Sequence, residues 1–518
     1  MTVDVMPGSR ATPREWIGLA VLALPCLVYS MDLTVLNLAI PQLSADLRPS
    51  AAQLLWIVDI YGFLVAGSLI TMGTLGDRIG RRRLLLIGAA AFGVASVLAA
   101  FAPSAELLIL ARAVLGLAGA TLAPSTLSLI RTMFQDDRQR TFAIGVWIAS
   151  FSAGAAIGPV VGGVLLEHFW WGSVFLIALP VMLLLLVLGP FLLPEARDPD
   201  AGRMDLPSAA LSVVAVLAVI YGIKHSAEAG FGLLPALAIL AGLAVGLLFV
   251  RRQRRLDDPL IDVSLFRIPS FSAALLINLL SLFAALGFFL VIGQYLQLVL
   301  GMGPLEAGLW VAPSGIAFAA GSMVAPLLVR RWQPATVIAG ALALAALGFV
   351  ILTQLGGSWP LAVLVTGMLV FCLGLSPVGT LTTDLVLGSA PPERAGAASA
   401  ISETSFEFGG AIGIAVLGSV LTAVYRERVI PALPAELPAE LALAASGTLA
   451  AALEVAEDLP GSAGAALAEA SKAAFTQAME LSSILCAAIA LGTALLAWMT
   501  LHRRRNPPAS GEALATGG

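Results

Sequence analysis

Charge is scarce in this chain. Only 12% of its 518 residues are charged, against 59% hydrophobic, and the mean hydropathy is +0.96. A water-soluble globular chain carries about 25% charged residues, so an ordinary soluble domain is excluded. Cysteine is rarer still. Cys26, Cys372 and Cys486 each fall inside an apolar run, which argues against a disulfide framework or a thiolate metal site and for buried apolar thiols. The histidines, His168, His225 and His502, stand apart at the ends of apolar runs, without metal-ligand spacing or a neighbouring nucleophile. There is no Gly-x-x-x-x-Gly-Lys phosphate loop, which excludes an ATP-driven pump, and an enzyme has little support. No metal, cofactor or nucleic-acid partner is expected. The N-terminus lacks a small-residue cleavage site after a short apolar core, so its first hydrophobic segment is expected to be retained.

What the chain has instead is apolar runs of about 20 residues, the length that crosses a bilayer as a helix. Fourteen spans are placed, near 16–39, 52–73, 84–102, 106–128, 143–165, 174–193, 207–225, 231–250, 269–292, 305–328, 334–354, 359–380, 400–424 and 478–501. They are rich in Leu and Ala and lack the alternation of a membrane barrel, so the fold class is an all-α polytopic membrane protein. Loop charges support the count. With an even number of spans both termini share one side, and loops on that side hold 22 of the 28 lysines and arginines, against five on the other. The positive-inside rule assigns the richer side to the cytoplasm. The expected location is the inner (plasma) membrane, with both termini cytoplasmic.

Three segments outside the spans stand out. The basic loop 251–268 reads as an orienting, lipid-facing loop at a boundary between two groups of spans. The outward segment 425–477 is Ala- and Glu-rich, carries prolines at 431, 434, 438 and 460, and is too charged to span. Two short helices broken near Pro460-Gly461 fit its composition, forming either a passive hairpin or a lid over the outward mouth. The polar tail 502–518 is expected to be disordered.

A charge inside a span costs several kcal/mol unless it lines a cavity or finds a partner. Five such charges occur: Asp32 in span 1, Asp59 in span 2, Arg112 in span 4, and Glu403 and Glu407 in span 13, with Asp384 and Glu306 placed at span ends as interfacial residues. Glu403 and Glu407 are four apart and share one helical face. Two carboxylates facing one low-dielectric cavity disfavour each other's ionisation, so the pair suits proton exchange or neutralisation of a cationic ligand. Asp32 is a second candidate proton carrier. Asp59 stands near Trp56 and Tyr61, and a carboxylate near aromatic rings suits a lipophilic cation, although Trp56 reads equally as an interfacial anchor.

Glycine spacing adds two motifs. The turn Gly73-Thr-Leu-Gly-Asp77-Arg78-Ile-Gly80-Arg81-Arg82-Arg83 lies between spans 2 and 3, and span 5 contains Gly154-Ala-Ala-Ile-Gly158-Pro159-Val-Val-Gly162-Gly163. Small residues every four positions let helices approach closely, and a proline bends the helix among them.

These residues carry a resemblance. The chain is similar to the major facilitator superfamily, in particular its fourteen-span drug:proton antiporters, which include the quaternary-ammonium and lipophilic-dye efflux pumps. Residues 73–83 resemble that superfamily's signature between spans 2 and 3. Leu110-Ala-Arg112-Ala-Val-Leu-Gly116 resembles its span-4 motif, whose arginine is tied to proton coupling. Gly154–Gly163 resembles the span-5 motif of antiporters, and Asp32–Pro41 the span-1 motif of the fourteen-span branch. The second-half counterpart of the signature loop, near Gly321–Arg331, is degenerate. Span 10 has no acid beyond Glu306 at its end, and Ser402 stands beside Glu403.

The resemblance implies two six-helix bundles, residues 1–193 and 269–501, the latter including the hairpin 425–477. Two helices, 194–268, are inserted between them, and a cavity lies at the interface of a monomer. It implies a proton-driven exporter of lipophilic, cationic small molecules. Asp32, Arg112 and Glu407 would couple protons, and Asp59, Trp56, Tyr61, Glu403 and Glu407 would bind substrate. Gly73, Asp77, Arg78, Gly80 and Arg81 would latch the inner side shut, with Asp77 reaching a helix N-terminus or an arginine among 138–140. The rivals are a dedicated exporter of an endogenous natural product and a proton-coupled nutrient importer; the span-5 motif argues against import.

Overall fold

In hydrocarbon every backbone N–H and C=O must be satisfied within its own segment, and the Leu- and Ala-rich runs do so as helices. The computed structural model describes residues 10–49, 51–197, 205–229, 232–256, 259–391, 394–433, 437–459 and 462–501. Among them are fourteen helices long and apolar enough to cross a membrane, and no strand. The tail 502–518 and the break at Pro460-Gly461 lie outside the described residues.

The first bundle comprises α1 (Pro13–Leu47), α2 (Ala51–Ile79), α3 (Arg81–Ala100), α4 (Ala105–Met133), α5 (Asp137–His168) and α6 (Ala178–Leu192), the last entered through a single turn at Ser173–Leu176. Two helices follow, α7 (Leu206–Ala229) and α8 (Leu233–Gln253). The second bundle comprises α9 (Pro269–Gln294), α10 (Pro304–Leu328), α11 (Pro334–Leu352), α12 (Pro360–Ser389), α13 (Ala395–Val429) and α14 (Ser462–Leu501). Prolines open α9, α10, α11 and α12, where the missing N–H costs nothing.

Within the first bundle α1 packs on α5, and α4 on α2 and α3, over a core that includes Leu22, Phe92, Leu115 and Phe134. In the second, α9 packs on α13 and α11 on α12, around stacked Phe349 and Phe371 rings 4.8 Å apart with Phe288 edge-on. The bundles meet where α5 faces α10 and α2 faces α13. Helices α7 and α8 pack on each other, and α7 touches α2 and α13, one helix from each bundle. On α8 the residues Leu233, Leu237, Leu240, Leu243 and Leu247 are all more than half exposed. In water such a stripe would be an aggregation site; facing lipid tails it is the outer wall.

The basic loop 251–268 is more than an orienting charge cluster. Arg252 Nε donates to Asp205 Oδ2 at 2.8 Å, and this hydrogen bond holds the Asp205 carboxyl below its ordinary range. Gln253 Nε2 donates to Ser208 Oγ at 2.7 Å while its Oε1 accepts from the Leu260 amide at 2.7 Å. The loop is thereby folded back onto α7. The outward segment also differs from expectation. Two short helices form, at Ala439–Gly447 and Leu449–Asp458, but residues 462–477 belong to α14, because Ala, Glu and Lys continue a helix readily beyond the apolar stretch. The Tyr425 hydroxyl donates to the Ala445 carbonyl at 3.1 Å and seats the short helices on α13.

The α1–α5 seam is the tightest consequence of the span-5 glycines. A side-chain carbon added at Gly154 would lie 2.1 Å from the Leu27 carbonyl oxygen, and one at Gly162 2.6 Å from Val35. Gly158 is buried and Gly163 faces open space. The side chain of Pro159 lies outside the described residues. Replacing Gly154 by valine is expected to cost about 1–3 kcal/mol through overpacking, read as lower thermal stability of the solubilised protein; wild-type stability would contradict the close approach.

Candidate functional site

The site begins with an arginine that has to be neutralised. Arg112 on α4 is almost fully buried, and Asp32 on α1 stands opposite it, with Arg112 Nη1 2.6 Å from Asp32 Oδ2. Its Nε donates to the Ile57 carbonyl at 3.0 Å and its Nη2 to the Val58 carbonyl at 3.4 Å. Its carbon Cζ lies 4.8 Å from the centre of the Tyr61 ring and 5.9 Å from that of Phe175. An arginine at the centre of a span costs about 2.5–3.5 kcal/mol on insertion scales. One carboxylate, two carbonyls and a cation–π face offset that cost. The arginine therefore ties α1, α2 and α4 to one point.

Tyr61 is fully buried beneath this guanidinium, and its ring lies 6.0 Å from that of Tyr29, which meets Phe151 edge-on. Trp56 is 44% exposed, one helical turn away on a different face of α2, against Phe63. The side chain of Asp59 lies outside the described residues.

Across the bundle interface, α13 carries Glu403 and Glu407. Both lie near enough to Tyr29 to act on it electrostatically, and Glu407 also acts on Tyr61, the ring beneath Arg112. Glu403 Oε1 is buried and has no hydrogen-bond partner among the described residues. The other face of α13 presents Ile401, Thr404, Phe408 and Ile412 to an apolar cleft of about 350 Å³, walled also by Ile70 and Leu275. Residues 403 and 407 fall roughly half a turn from that face, so the carboxylates and the apolar cleft lie on opposite sides of one helix.

The second part of the site is the end that carries residues 73–83. Asp77 Oδ1 accepts from the Gly396 amide and Oδ2 from the Ala397 amide, both at 2.9 Å. These are first-turn amides of α13, whose own N-cap residue, Arg394, contributes no side-chain cap. A carboxylate there meets the positive end of the helix dipole as well as two orphan donors. Arg81 Nε holds the same carboxylate at 3.0 Å and Arg81 Nη1 donates to Thr132 Oγ1 at 3.0 Å. Gly73 lies back to back with Gly396, 2.5 Å separating its would-be side-chain carbon from the Gly396 carbonyl oxygen. Gly80 has φ +110°, which allows the sharp entry to α3. Arg78 donates to the Thr74 carbonyl at 3.5 Å. Asp77 thus takes the helix N-terminus; Arg140 belongs elsewhere.

Sequence reasoning missed that second contact. Arg140 Nε lies 2.7 Å from Asp384 Oδ1, and Thr141 Oγ1 2.7 Å from Asp384 Oδ2, joining α5 to α12 across the bundles. Arg131 donates to the carbonyls of Ala390 and Pro391 at the end of α12. Ser128 Oγ and Ser399 Oγ are 3.3 Å apart. The signal available was the position of Asp384, the one acid among the four closing turns of a helix; reading it as interfacial hid the pairing.

Two helical bundles, a buried arginine–carboxylate pair near the middle and a capped, bolted end define a multi-pass membrane carrier. The chain belongs to the Major Facilitator Superfamily, whose family model matches residues 22–414. It is 44% identical over 506 residues to the multidrug efflux pump LfrA of Mycolicibacterium smegmatis, covering 97% of this chain and 99% of that one. It is 35% identical to the methyl viologen resistance protein SmvA of Salmonella typhimurium (95% and 99% covered) and 31% identical to the tetracenomycin C resistance and export protein of Streptomyces glaucescens (95% and 93% covered). The solved structure of the human organic anion transporter MFSD10 matches with a TM-score of 0.62 at 16% identity, covering 94% of this chain and all of that one, a likeness of fold.

Replacing Asp77 by asparagine removes the charge and one of the two acceptor oxygens that take the Gly396 and Ala397 amides, and is expected to weaken this end by about 2 kcal/mol. Exchange of the amide protons of residues 395–398 would report it. Unchanged protection would show that the cap does not hold the end shut.

Proposed function

We propose that this protein is a proton-coupled antiporter that exports lipophilic, cationic compounds, in the manner of a multidrug efflux pump. The observation that carries the reading is Glu403: a buried carboxyl with an unpartnered oxygen, one turn from Glu407 and near Tyr29 of the first bundle. A lone ionised carboxylate in that position would cost several kcal/mol, so it is neutralised by a proton in one state and by a substrate cation in another. The names of two relatives point the same way, one a multidrug efflux pump and one a resistance protein for methyl viologen, an organic dication.

The cycle follows from the charges. A lipophilic cation enters from the cytoplasm or inner leaflet and displaces protons from the Glu403/Glu407 pair, while Asp32 alternates between a proton and Arg112. The loaded carrier opens outward, releases the compound, takes up protons and resets. No cofactor is needed: the pH gradient drives the exchange, and where the protons entering outnumber the charges leaving, the membrane potential adds about 2.3 kcal/mol per net charge per 100 mV. Asp77 is the latch of this cycle. With its cap made and residues 73–83 on the cytoplasmic side, the conformation described is the one closed to the cytoplasm. The same orientation puts the protein in the inner membrane with cytoplasmic termini, and we read it as a monomer. Tyr61 lies against Arg112, and the half-exposed Trp56 lines the path.

A second reading, export of one endogenous natural product, is favoured by relatives from Streptomyces named for resistance to tetracenomycin C, puromycin and methylenomycin A. A growth-inhibition panel across many drugs separates the two.

In everted vesicles, Asp32→Asn is expected to reduce pH-driven ethidium transport to background, because the pair can no longer exchange a proton; undiminished transport would sink the coupling role. Glu407→Gln is expected to weaken export of cations by about tenfold or more, the scale of one lost charge contact of about 1.5 kcal/mol. Neutral compounds should be affected far less. Equal loss for both would remove Glu407 from charge recognition.

A further inference from the structure

The two bundles are parallel repeats in this fold, yet the second cannot mirror Asp77. Between Glu306 and Asp384 the sequence has no aspartate or glutamate. By helix order, the link between α10 and α11 (329–333) is the counterpart of residues 73–83, and it offers only exposed Arg330 and Arg331. Its natural target, the N-terminus of α5, is already capped from within: Asp136 Oδ1 accepts from the Gln139 amide at 2.9 Å. The N-terminus of α13 has no such internal cap and is left to Asp77.

We propose that Asp384 supplies the missing half of the latch, as a positioning residue for the transport cycle. It receives Arg140 and Thr141 from the start of α5 on its two oxygens, each at 2.7 Å, and the ion pair is about one-sixth exposed on either side. At the end of the same helix, Arg131 meets the carbonyls of Ala390 and Pro391, where the dipole is negative. The closed end is thus held by two contacts of opposite sense: an acid from the first bundle on the N-terminus of α13, and cations from the first bundle on the C-terminal end of α12. The second contact is also suited to release. Arg140 keeps Asp137 as a partner at 3.0 Å within α5, and Asp384 stands near enough to the surface to be hydrated when the bundles part.

This inference rests on the alternating-access reading above, and the test separates the two. Full-length wild type, D384N, D384E, T141V and D77N, each checked for a monodisperse peak, would be compared in nanodiscs by amide exchange at residues 131–141 and 384–399 and by ethidium transport in vesicles. D384N is expected to raise exchange at both segments by about tenfold and to lower the transport kcat more than KM. D384E should retain wild-type behaviour, and T141V should fall between. If D77N raises exchange and D384N does not, the latch is one-sided and the inference fails while the proposed function stands. If neither raises it, the closed-end reading itself fails. Should D384N not give a monodisperse protein, wild-type exchange in T141V would overturn the proposal.

Discussion

A cation buried in hydrocarbon must be neutralised where it stands, and Arg112 is the constraint from which the rest of the site follows. It draws Asp32 from α1 and the carbonyls of Ile57 and Val58 from α2, and it lies over Tyr61. Three helices of one bundle are thereby set in register by one side chain. Asp32 is committed to that arginine, and two further carboxylates, Glu403 and Glu407, stand on α13 in the other bundle. On α13 Glu403 Oε1 is buried with no such hydrogen-bond partner among the described residues, and in the proposed cycle this asymmetry is what a proton and a cation exchange over.

The two ends of the interface use the low dielectric differently. At Glu403 a buried carboxyl oxygen lacks a hydrogen-bond partner among the described residues, and in the proposed cycle a proton or a cation neutralises it. At the end carrying residues 73–83, acids and arginines meet helix termini and each other: Asp77 caps α13, and Asp384 takes Arg140 and Thr141. Hydrogen bonds to charged groups contribute about 1.5–3 kcal/mol each. A handful of them is enough to favour closure strongly, yet each opens onto water when the bundles separate. The inserted helices add a further tie, since α7 touches both α2 and α13 while Gln253 and Arg252 hold its end to the following loop.

Much of this was legible in the residues because membrane insertion reduces the choices. Apolar length gave the spans, and the scarcity of buried charge made Asp32, Arg112, Glu403 and Glu407 visible without any coordinates. What was hidden is pairing. A carboxylate such as Asp77 has several partners within plausible reach, and only the backbone path shows that the amides of Gly396 and Ala397 take it while Arg140 goes to Asp384. Tyr61 was singled out because it neighbours Trp56 and Asp59 in sequence, but that its ring lies against Arg112 only the fold shows. The start of α14 at Ser462 was obscured for a different reason, since a hydropathy pattern finds the edge of the bilayer and not the end of a helix.

The measurement that bears most directly on the account is the pH dependence of ethidium binding to the purified protein, compared with Glu403→Gln and Glu407→Gln. If protons and cations compete for these carboxylates, ethidium affinity in the wild type weakens as pH falls, and each substitution both lowers the affinity and flattens that dependence. Binding that is indifferent to pH in the wild type, or a pH dependence that survives in both variants, would contradict exchange at the α13 carboxylates.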